Sequence, residues 1–437
     1  MLRLLVVTYY FPPSGGGGVQ RPTKWVKYLP EAGVQPTVLT VREGAYPHLD
    51  PTQMDDVPAG VEVVRTAAPD PFGPYGRLTG RSRDEAVAAR TGRVGESPSA
   101  AERAARWVRA NVFVPDARVG WVPFAARAAR RLHRERPFDA VLTTGPPHSA
   151  HLVGRVMHRL GARWVADFRD PWTDIHYQSA LSRSGAAARL DARLEAAVLR
   201  EADAVLTVSE PLARGLQAKA RVPVHVIPNG FDPDDFPEPA PPVRSDRFVV
   251  THVGTLHGVP MSLLDAIARL RAEGEEVGLR CVGSVPEDLL TEAETRGVAD
   301  LVEVEGAVPH DEAVAIMRRS PLLLLTVEPW DYAEGVLPGK TFEYLASGRP
   351  VLGLGPVGAA SRVLVETGAG VMLRHGDVDG VAAELLRHRG GWQEGRSASG
   401  ARAEAVATYS RVSQARHVAE VVRSVRGGGE RARGLGR

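Results

Sequence analysis

Residues 335–351 read GVLPGKTFEYLASGRPV, and this stretch holds the pattern on which the fold prediction rests. A turn of glycine and proline leads into residues 341–346, whose composition predicts a short helix. An apolar strand is predicted directly after it, at 350–354. A helix that leads straight into a short apolar strand is the repeating unit of a parallel α/β sheet.

The same alternation extends over both halves of the chain. In the second half, further strands are predicted at 248–253, 278–282, 302–304, 322–327 and 370–373. In the first half, strands are predicted at 4–8, 36–41, 139–144, 163–167, 204–208 and 224–227. Strands this short and apolar, separated by helical stretches, predict two buried, doubly wound parallel sheets.

Changes in composition divide the chain into segments. Five prolines between Asp232 and Asp246 indicate an extended linker, and residues 70–100, rich in Pro, Gly, Ser and Arg, predict a mobile loop. The predicted segments are a first domain at 1–236, a linker at 237–246, a second domain at 247–400, a helix packing back on the first domain at 401–427 and a disordered tail at 428–437.

Composition excludes several classes of protein. The formal net charge of +2 over 437 residues argues against a nucleic-acid-binding protein. The single cysteine, Cys281, excludes an intramolecular disulfide and is expected in a strand core. The sequence shows neither a secretory signal nor a stretch of ~20 apolar residues, so we expect a cytoplasmic protein, with contact at the inner face of a membrane left open.

Five motifs, taken together and in this order, carry a family resemblance. They are YYFPPSGG at 9–16, TGPPHS at 144–149, DFRDPW at 167–172, IPNGFD at 227–232 and LPGKTFEYLASGRPV at 337–351. The chain resembles the retaining glycosyltransferases of family 4 (glycosyltransferase group 1) over nearly its whole length, apart from residues 70–100. The resemblance implies the GT-B fold, in which two Rossmann-like domains face each other across a cleft.

The resemblance also implies a reaction. A hexose-type sugar would pass from a nucleotide-diphosphate sugar, UDP rather than GDP, to an acceptor hydroxyl with retained configuration. No metal and no cofactor are expected, and no enzyme nucleophile is nominated. The acceptor would be lipid-linked, a saccharide or a small molecule, in the synthesis of polysaccharide or cell-envelope glycoconjugates.

The first predicted donor contact is a strand-end turn of Gly254, Thr255 and His257. Glycine lets the backbone approach a phosphate, and a following helix amino terminus adds N–H donors. An ordinary strand-to-helix turn explains the same residues equally well. Many relatives have an arginine and a lysine here, so His257 is expected to assist in neutralising the diphosphate.

The second predicted donor contact surrounds Lys340, one of only four lysines in the chain. Its charge would neutralise the leaving diphosphate, together with the backbone of Leu337, Pro338, Gly339 and Thr341. The resemblance implies that Glu343 binds the ribose hydroxyls and that the backbone near Val308 selects the base. A surface pair between Lys340 and Glu343 is the alternative.

One departure from the family pattern concerns the sugar. Many relatives carry two glutamates with seven residues between them; Gly335 stands at the first of these positions, preceded by Glu334, and Glu343 stands at the second. Which group holds the sugar hydroxyls is therefore left open.

Four residues of the first half are candidates on the acceptor side. Gly17 and Gly18 would approach the donor phosphates, although a simple turn is as good an interpretation. The resemblance places His148 near the transferred sugar, and Asp170 is the carboxylate expected to orient or deprotonate the acceptor hydroxyl. The alternatives are a structural histidine and an Arg169–Asp170 pair.

Two further questions stay open at this point. Residues 107–136 mix arginine with aromatic residues, which suits peripheral contact with an anionic membrane or an ordinary surface helix. Glycosylation of a small natural product and a nucleotide-sugar 2-epimerase of the same fold are the alternative functions. A nicotinamide-dependent oxidoreductase is disfavoured, because no acidic residue ends the second strand.

Overall fold

A computed structural model describes residues 1–44, 46, 49–69, 100–174, 183–237, 247–330, 332–396 and 400–434. The predicted loop at 70–100 lies outside the described residues except for Ala100. The predicted linker at 237–246 lies outside them except for Pro237.

The chain forms two compact units, one of residues Met1–Ile227 with Gln414–Arg437 and one of Pro228–Ser413. The first unit contains a seven-stranded parallel sheet in the order β3-β2-β1-β4-β5-β6-β7. Its strands are β1 (Leu2–Val7), β2 (Val34–Val41), β3 (Glu62–Thr66), β4 (Ala140–Gly145), β5 (Arg163–Phe168), β6 (Ala204–Thr207) and β7 (Val224–Val226).

Helices connect the strands of the first sheet. They are α1 (Gly17–Tyr28), α2 (Ala100–Asn111), α3 (Val122–Glu135), α4 (Ala150–Arg159), α5 (Gly185–Glu201) and α6 (Glu210–Gln217). Apolar residues of β1 and β4 pack against α3 and α4 in one cluster, which includes Leu5, Val141, Ala129 and Val153. Burial of these apolar faces supplies the main stabilisation of such a layered fold.

The second unit repeats the architecture with a six-stranded parallel sheet in the order β10-β9-β8-β11-β12-β13. Its strands are β8 (Val249–Val253), β9 (Gly278–Val282), β10 (Val302–Glu305), β11 (Leu322–Thr326), β12 (Val351–Leu354) and β13 (Gly370–Leu373). Its helices are α7 (Met261–Ala272), α8 (Leu289–Thr295), α9 (His310–Arg319), α10 (Lys340–Ala346), α11 (Ala359–Thr367), α12 (Val378–Gln393) and α13 (Ala403–Ala407).

The last helix, α14 (Arg411–Gly434), belongs to the first unit from Gln414 onward. Ala415, Val418 and Val422 are buried along it, and Arg426 forms an ion pair with Asp139 at 3.3 Å. The helix continues to Gly434, beyond residue 428, where the sequence predicts a disordered tail. The first unit ends at Ile227, earlier than the predicted boundary at 236.

One strand of the first sheet was not predicted from the sequence. β3 reads EVVRT and forms the edge of the first sheet, paired on one side with β2. Its residues are exposed or half-buried. The strand therefore does not need a continuous run of apolar residues, and its sequence lacks the apolar pattern by which the other strands were predicted.

The topology of each sheet fixes where a ligand site can lie. In the first sheet β1 pairs with β2 on one side and β4 on the other, and in the second sheet β8 lies between β9 and β11. Strand order reverses at these points, and ligands of doubly wound sheets bind at the carboxyl ends of the flanking strands. The loops after β1, β4, β8 and β11, together with the first turns of the helices that follow them, carry most of the predicted site residues.

Candidate functional site

In the second unit, the turn after β8 lies against the Lys340 side chain. Gly254 has a φ of +101°, a conformation that side chains other than glycine rarely adopt. A Cβ at this position would lie 3.3 Å from Lys340 Nζ. The phenol of Tyr344, on α10, accepts a hydrogen bond from the Val253 N–H at 2.9 Å and so fixes the strand end just before the turn.

The Lys340 ammonium group is held by two fixed acceptors. Nζ lies 2.9 Å from His252 Nε2 and 3.0 Å from the Thr255 carbonyl oxygen. His252 is fully buried in β8, and its Nδ1 lies 3.0 Å from the Leu324 carbonyl oxygen. Because a carbonyl only accepts, Nδ1 carries the proton and Nε2 is the acceptor for lysine.

The pKa values of His252 and Lys340 are both lowered. Burial, followed by the charge of Lys340, lowers the pKa of His252 to about 3, so the imidazole is neutral. Burial lowers the pKa of Lys340 to about 8, against an opposing attraction to Glu343. The ammonium has three N–H donors, and the two contacts above leave the third available to a ligand.

Glu343 lies one helical turn beyond Lys340 and forms no ion pair with it among the described residues. Its carboxylate is half-buried, and burial raises its pKa. The surface pair that the sequence left open is therefore not formed. A carboxylate without a described cationic partner, next to a lysine directed elsewhere, is available to hydroxyl donors of a ligand.

The turn before α10 offers a phosphate fewer free backbone N–H groups than the sequence predicts. The Thr341 N–H donates to the Pro338 carbonyl at 3.1 Å, and the Phe342 N–H donates to the Gly339 carbonyl at 3.2 Å. These two amides are engaged and do not face a phosphate. The Thr341 hydroxyl is buried and has no hydrogen-bond partner among the described residues. Leu337 is half-buried above this turn and packs on the core of the second unit.

The remaining donor-side candidates also follow the carboxyl ends of strands in the second sheet. His257 packs edge-to-face on Trp330, with ring centroids 5.4 Å apart, and burial followed by Lys340 lowers its pKa. In its neutral form this imidazole can offer a hydrogen bond to a diphosphate, and its part in charge neutralisation stays a prediction. Val308 is half-buried before α9, and Gly335 ends a short 3-10 turn that begins at Ala333.

In the first unit, a buried ion pair connects α1 to β5. Arg21 and Asp167 are fully buried, and the guanidinium donates to both carboxylate oxygens, at 2.8 and 3.2 Å. The Thr144 hydroxyl donates to the same carboxylate at 2.7 Å. A bidentate pair with an added hydrogen bond fixes the ends of these elements relative to one another.

Arg169, which the sequence analysis treated only as a partner of Asp170, binds three backbone carbonyls. It donates to Gly145 at 3.2 Å, to Pro146 at 2.6 Å and to Gly18. It thereby joins the glycine-rich turn after β1 to the loop after β4. The carbonyl of Gly18 is engaged, whereas Gly17 is simply the first residue of α1.

His148 lies in the loop after β4, buried against the face of Trp172 with ring centroids 4.8 Å apart and planes 7° apart. Neither ring nitrogen has a hydrogen-bond partner among the described residues. Burial, then the charges of His151 and Arg169, lower its pKa well below the usual value, and the Pro171 carbonyl acts in the opposite direction. A buried ring with two unsatisfied nitrogens suits a neutral hydrogen-bonding role toward a ligand.

Two carboxylates hold the loops around His148. Asp116 accepts hydrogen bonds from the Ser149 N–H and hydroxyl, at 2.8 and 2.9 Å. Asp191, on α5, accepts from the Trp172 indole at 2.8 Å. Asp170 is half-buried, and its charge acts to raise the pKa of Arg169, against the larger effect of burial.

Residues 107–136 cover the end of α2, a connecting segment and α3. Trp107, Val112 and Phe124 are exposed, whereas Trp121 is buried and donates to Thr66 at 2.8 Å. Membrane contact through this stretch stays a prediction. None of the described helices is long and apolar enough to cross a bilayer.

Comparison with known families gives the class of the protein. Residues 78–230 match the glycosyl transferase 4-like domain, and residues 247–388 match the glycosyl transferases group 1. The first match covers β4 to β7 of the first sheet, and the second match covers all six strands of the second sheet. The chain therefore has the two domains of a GT-B glycosyltransferase. Its second domain belongs to the glycosyl transferases group 1.

Three solved structures show the same fold. Anabaena Alr3699/HepE in complex with UDP-glucose is 17% identical, with a TM-score of 0.60 over 97% of this chain and 100% of that one. A UDP-forming α,α-trehalose-phosphate synthase from Burkholderia vietnamiensis is 13% identical, with a TM-score of 0.60 over 98% and 100%. A glycosyltransferase from Rickettsia africae ESF-5 is 12% identical, with a TM-score of 0.60 over 97% and 98%. A search of curated proteins finds no match.

Proposed function

We propose that the chain transfers a hexose-type sugar from a UDP-sugar to an acceptor hydroxyl, with retention of the anomeric configuration and without a metal ion. The observation that carries the proposal is the Lys340 ammonium group, which keeps one N–H donor available beside the Gly254 turn. A diphosphate leaving group develops negative charge, and a preorganised cation at that point lowers the barrier.

Each step of the transfer has a proposed residue. The bond between the anomeric carbon and the diphosphate oxygen breaks, the acceptor oxygen forms the new bond on the same face, and its proton passes to the departing phosphate. Lys340 neutralises that phosphate, Glu343 accepts from the ribose hydroxyls, and His148 contacts the sugar as a neutral imidazole. Asp170 orients the acceptor hydroxyl.

The choice of nucleotide draws on two relatives of the same fold. One was solved with UDP-glucose, and another is described as UDP-forming, which favours UDP over GDP for this chain as well. We place the reaction in the cytoplasm, in the synthesis of polysaccharide or cell-envelope glycoconjugates. The acceptor is a lipid-linked, saccharide or small-molecule hydroxyl compound.

The test is incubation of the full chain with a panel of UDP- and GDP-hexoses, with and without EDTA, followed by NMR of the sugar. We expect release of UDP from one donor, unaffected by EDTA, and an α-linked product once an acceptor is supplied. An isomerised nucleotide sugar in the absence of acceptor would instead identify an epimerase. Binding of the donors with no turnover would contradict an enzymatic role.

A further inference from the structure

The first unit has a groove of about 820 Å³ at the carboxyl ends of β2 and β3. One wall is formed by the strand ends and the other by α3. Apolar side chains, among them Val64, Phe124 and Ala128, form part of the lining. A concave space of this size is typical of sites for small ligands.

The charged lining of the groove is almost entirely basic. Its arginines are Arg42, Arg65, Arg127, Arg130, Arg131 and Arg134. Glu135 is the one acidic residue of the lining, so six positive charges face one negative charge. Glu135 itself lies 3.7 Å from Arg131. Arg42, Arg127, Arg130 and Arg134 form no ion pair with any described carboxylate.

One of these arginines is fixed in place. Arg65 is half-buried, and its guanidinium donates to the Pro12 carbonyl at 2.6 Å and to the Val41 carbonyl at 3.4 Å. Backbone carbonyls orient the guanidinium without neutralising it, so its charge remains unbalanced within the groove. Pro12 lies in the loop that leads from β1 to the glycine-rich turn. The groove therefore lies at the carboxyl ends of the strands, as the glycine-rich turn does.

From this arrangement we infer that the groove binds the phosphate group of a phosphorylated acceptor. Guanidinium groups match phosphate oxygens in geometry and charge, and unpaired arginines around a concave space favour a discrete anion. A flat bilayer surface would not need the concavity. This inference rests on the proposed function, since it names a part of the acceptor, and the apolar lining is available to the remainder of that molecule.

The test uses inorganic pyrophosphate as the probe and isothermal titration of four full-length proteins. These are the wild type, Arg127→Gln/Arg130→Gln, Lys340→Met, and the control Arg193→Gln/Arg214→Gln. The control removes two exposed arginines from α5 and α6, which do not line the groove. Glutamine has a helix propensity similar to that of arginine and lacks the charged guanidinium group.

We expect the groove variant, Arg127→Gln/Arg130→Gln, to bind pyrophosphate at the groove on the order of tenfold more weakly than wild type, because charge-assisted contacts are lost. The control and Lys340→Met should bind pyrophosphate at the groove as wild type does. The groove variant should keep its affinity for UDP. Equal pyrophosphate binding by the wild type and the groove variant would overturn the inference.

Two further outcomes are decisive. If the groove variant loses binding to phosphatidylserine–phosphatidylcholine vesicles but keeps pyrophosphate binding, the arginines form a membrane surface and the inference is overturned. If wild type fails to bind UDP while the groove variant loses pyrophosphate binding, the proposed function is wrong and the phosphate site is supported.

Discussion

At the scale of single residues, the central arrangement is a lysine held by a neutral, buried histidine. The sequence pointed to Lys340 because lysine is rare in this chain and this one begins a helix in a recognisable motif. It gave no sign of His252, which lies within a strand, 88 residues before Lys340. A histidine inside an apolar strand has the same pattern whether or not its ring meets a lysine, so only the folded structure reveals the contact.

The pKa of Lys340 makes donor affinity depend on pH. With a pKa of about 8 in the free protein, the ammonium form is present below pH 8 and is lost above it. If bound diphosphate keeps the lysine protonated, the affinity for UDP should fall roughly tenfold between pH 7 and pH 9. Calorimetric titration across this range measures the slope. Lys340→Arg stays charged and should show almost no slope, so parallel slopes in the two proteins would contradict the assignment.

Gly254 offers a test of the close approach between the turn and the lysine. Gly254→Ala should cost roughly 1–2 kcal/mol of stability from its left-handed backbone and should also weaken UDP binding, because its Cβ would lie 3.3 Å from Lys340 Nζ. Gly274→Ala is the matched control: φ is +86°, and no described atom lies within 4 Å of its Cβ. It should show the stability loss alone. Equal UDP affinity in both variants would remove the turn from the site.

At the scale of elements, the sequence predicted the order of strands and helices better than their side-chain connections. Twelve of the thirteen strands were expected, and the missing β3 is a half-exposed edge with a weak apolar pattern. Within DFRDPW, Asp170 was the predicted site residue, while in the structure Asp167 forms an ion pair with Arg21. The two aspartates lie three residues apart in one motif, and the partner is 146 residues away from Asp167. Pairings over such separations depend on the fold.

The loop after β4 owes its position to Asp116. Asp116→Ala removes the acceptor of the Ser149 N–H and hydroxyl, so it should lower stability by about 1–3 kcal/mol and lower the rate of sugar transfer through His148. Asp116→Asn keeps one carbonyl acceptor and removes a carboxylate whose pKa is raised by burial. It should therefore lower stability less than Asp116→Ala does. Urea unfolding and donor turnover measure the two effects. Unchanged turnover in Asp116→Ala would show that the loop needs no such anchor.

At the scale of the whole molecule, two doubly wound sheets were predicted and are confirmed. In each sheet the candidate residues lie where strand order reverses, so motifs far apart in sequence lie at the same end of that one sheet. The arginine groove escaped the sequence analysis for the same reason. Arg42 directly follows β2, Arg65 lies in β3 and the other four arginines lie in α3. The arginines of α3 alone are typical of an exposed helix face.

Our central proposal is that Lys340 binds the diphosphate of a nucleotide. Titration of UDP onto wild type, Lys340→Ala and Lys340→Arg tests this most directly. Loss of a charge-assisted hydrogen bond should weaken UDP binding roughly ten- to hundredfold in Lys340→Ala, with Lys340→Arg in between. Uridine, which has no phosphate, should bind all three proteins alike. A Lys340→Ala protein that binds UDP as tightly as the wild type would contradict the claim.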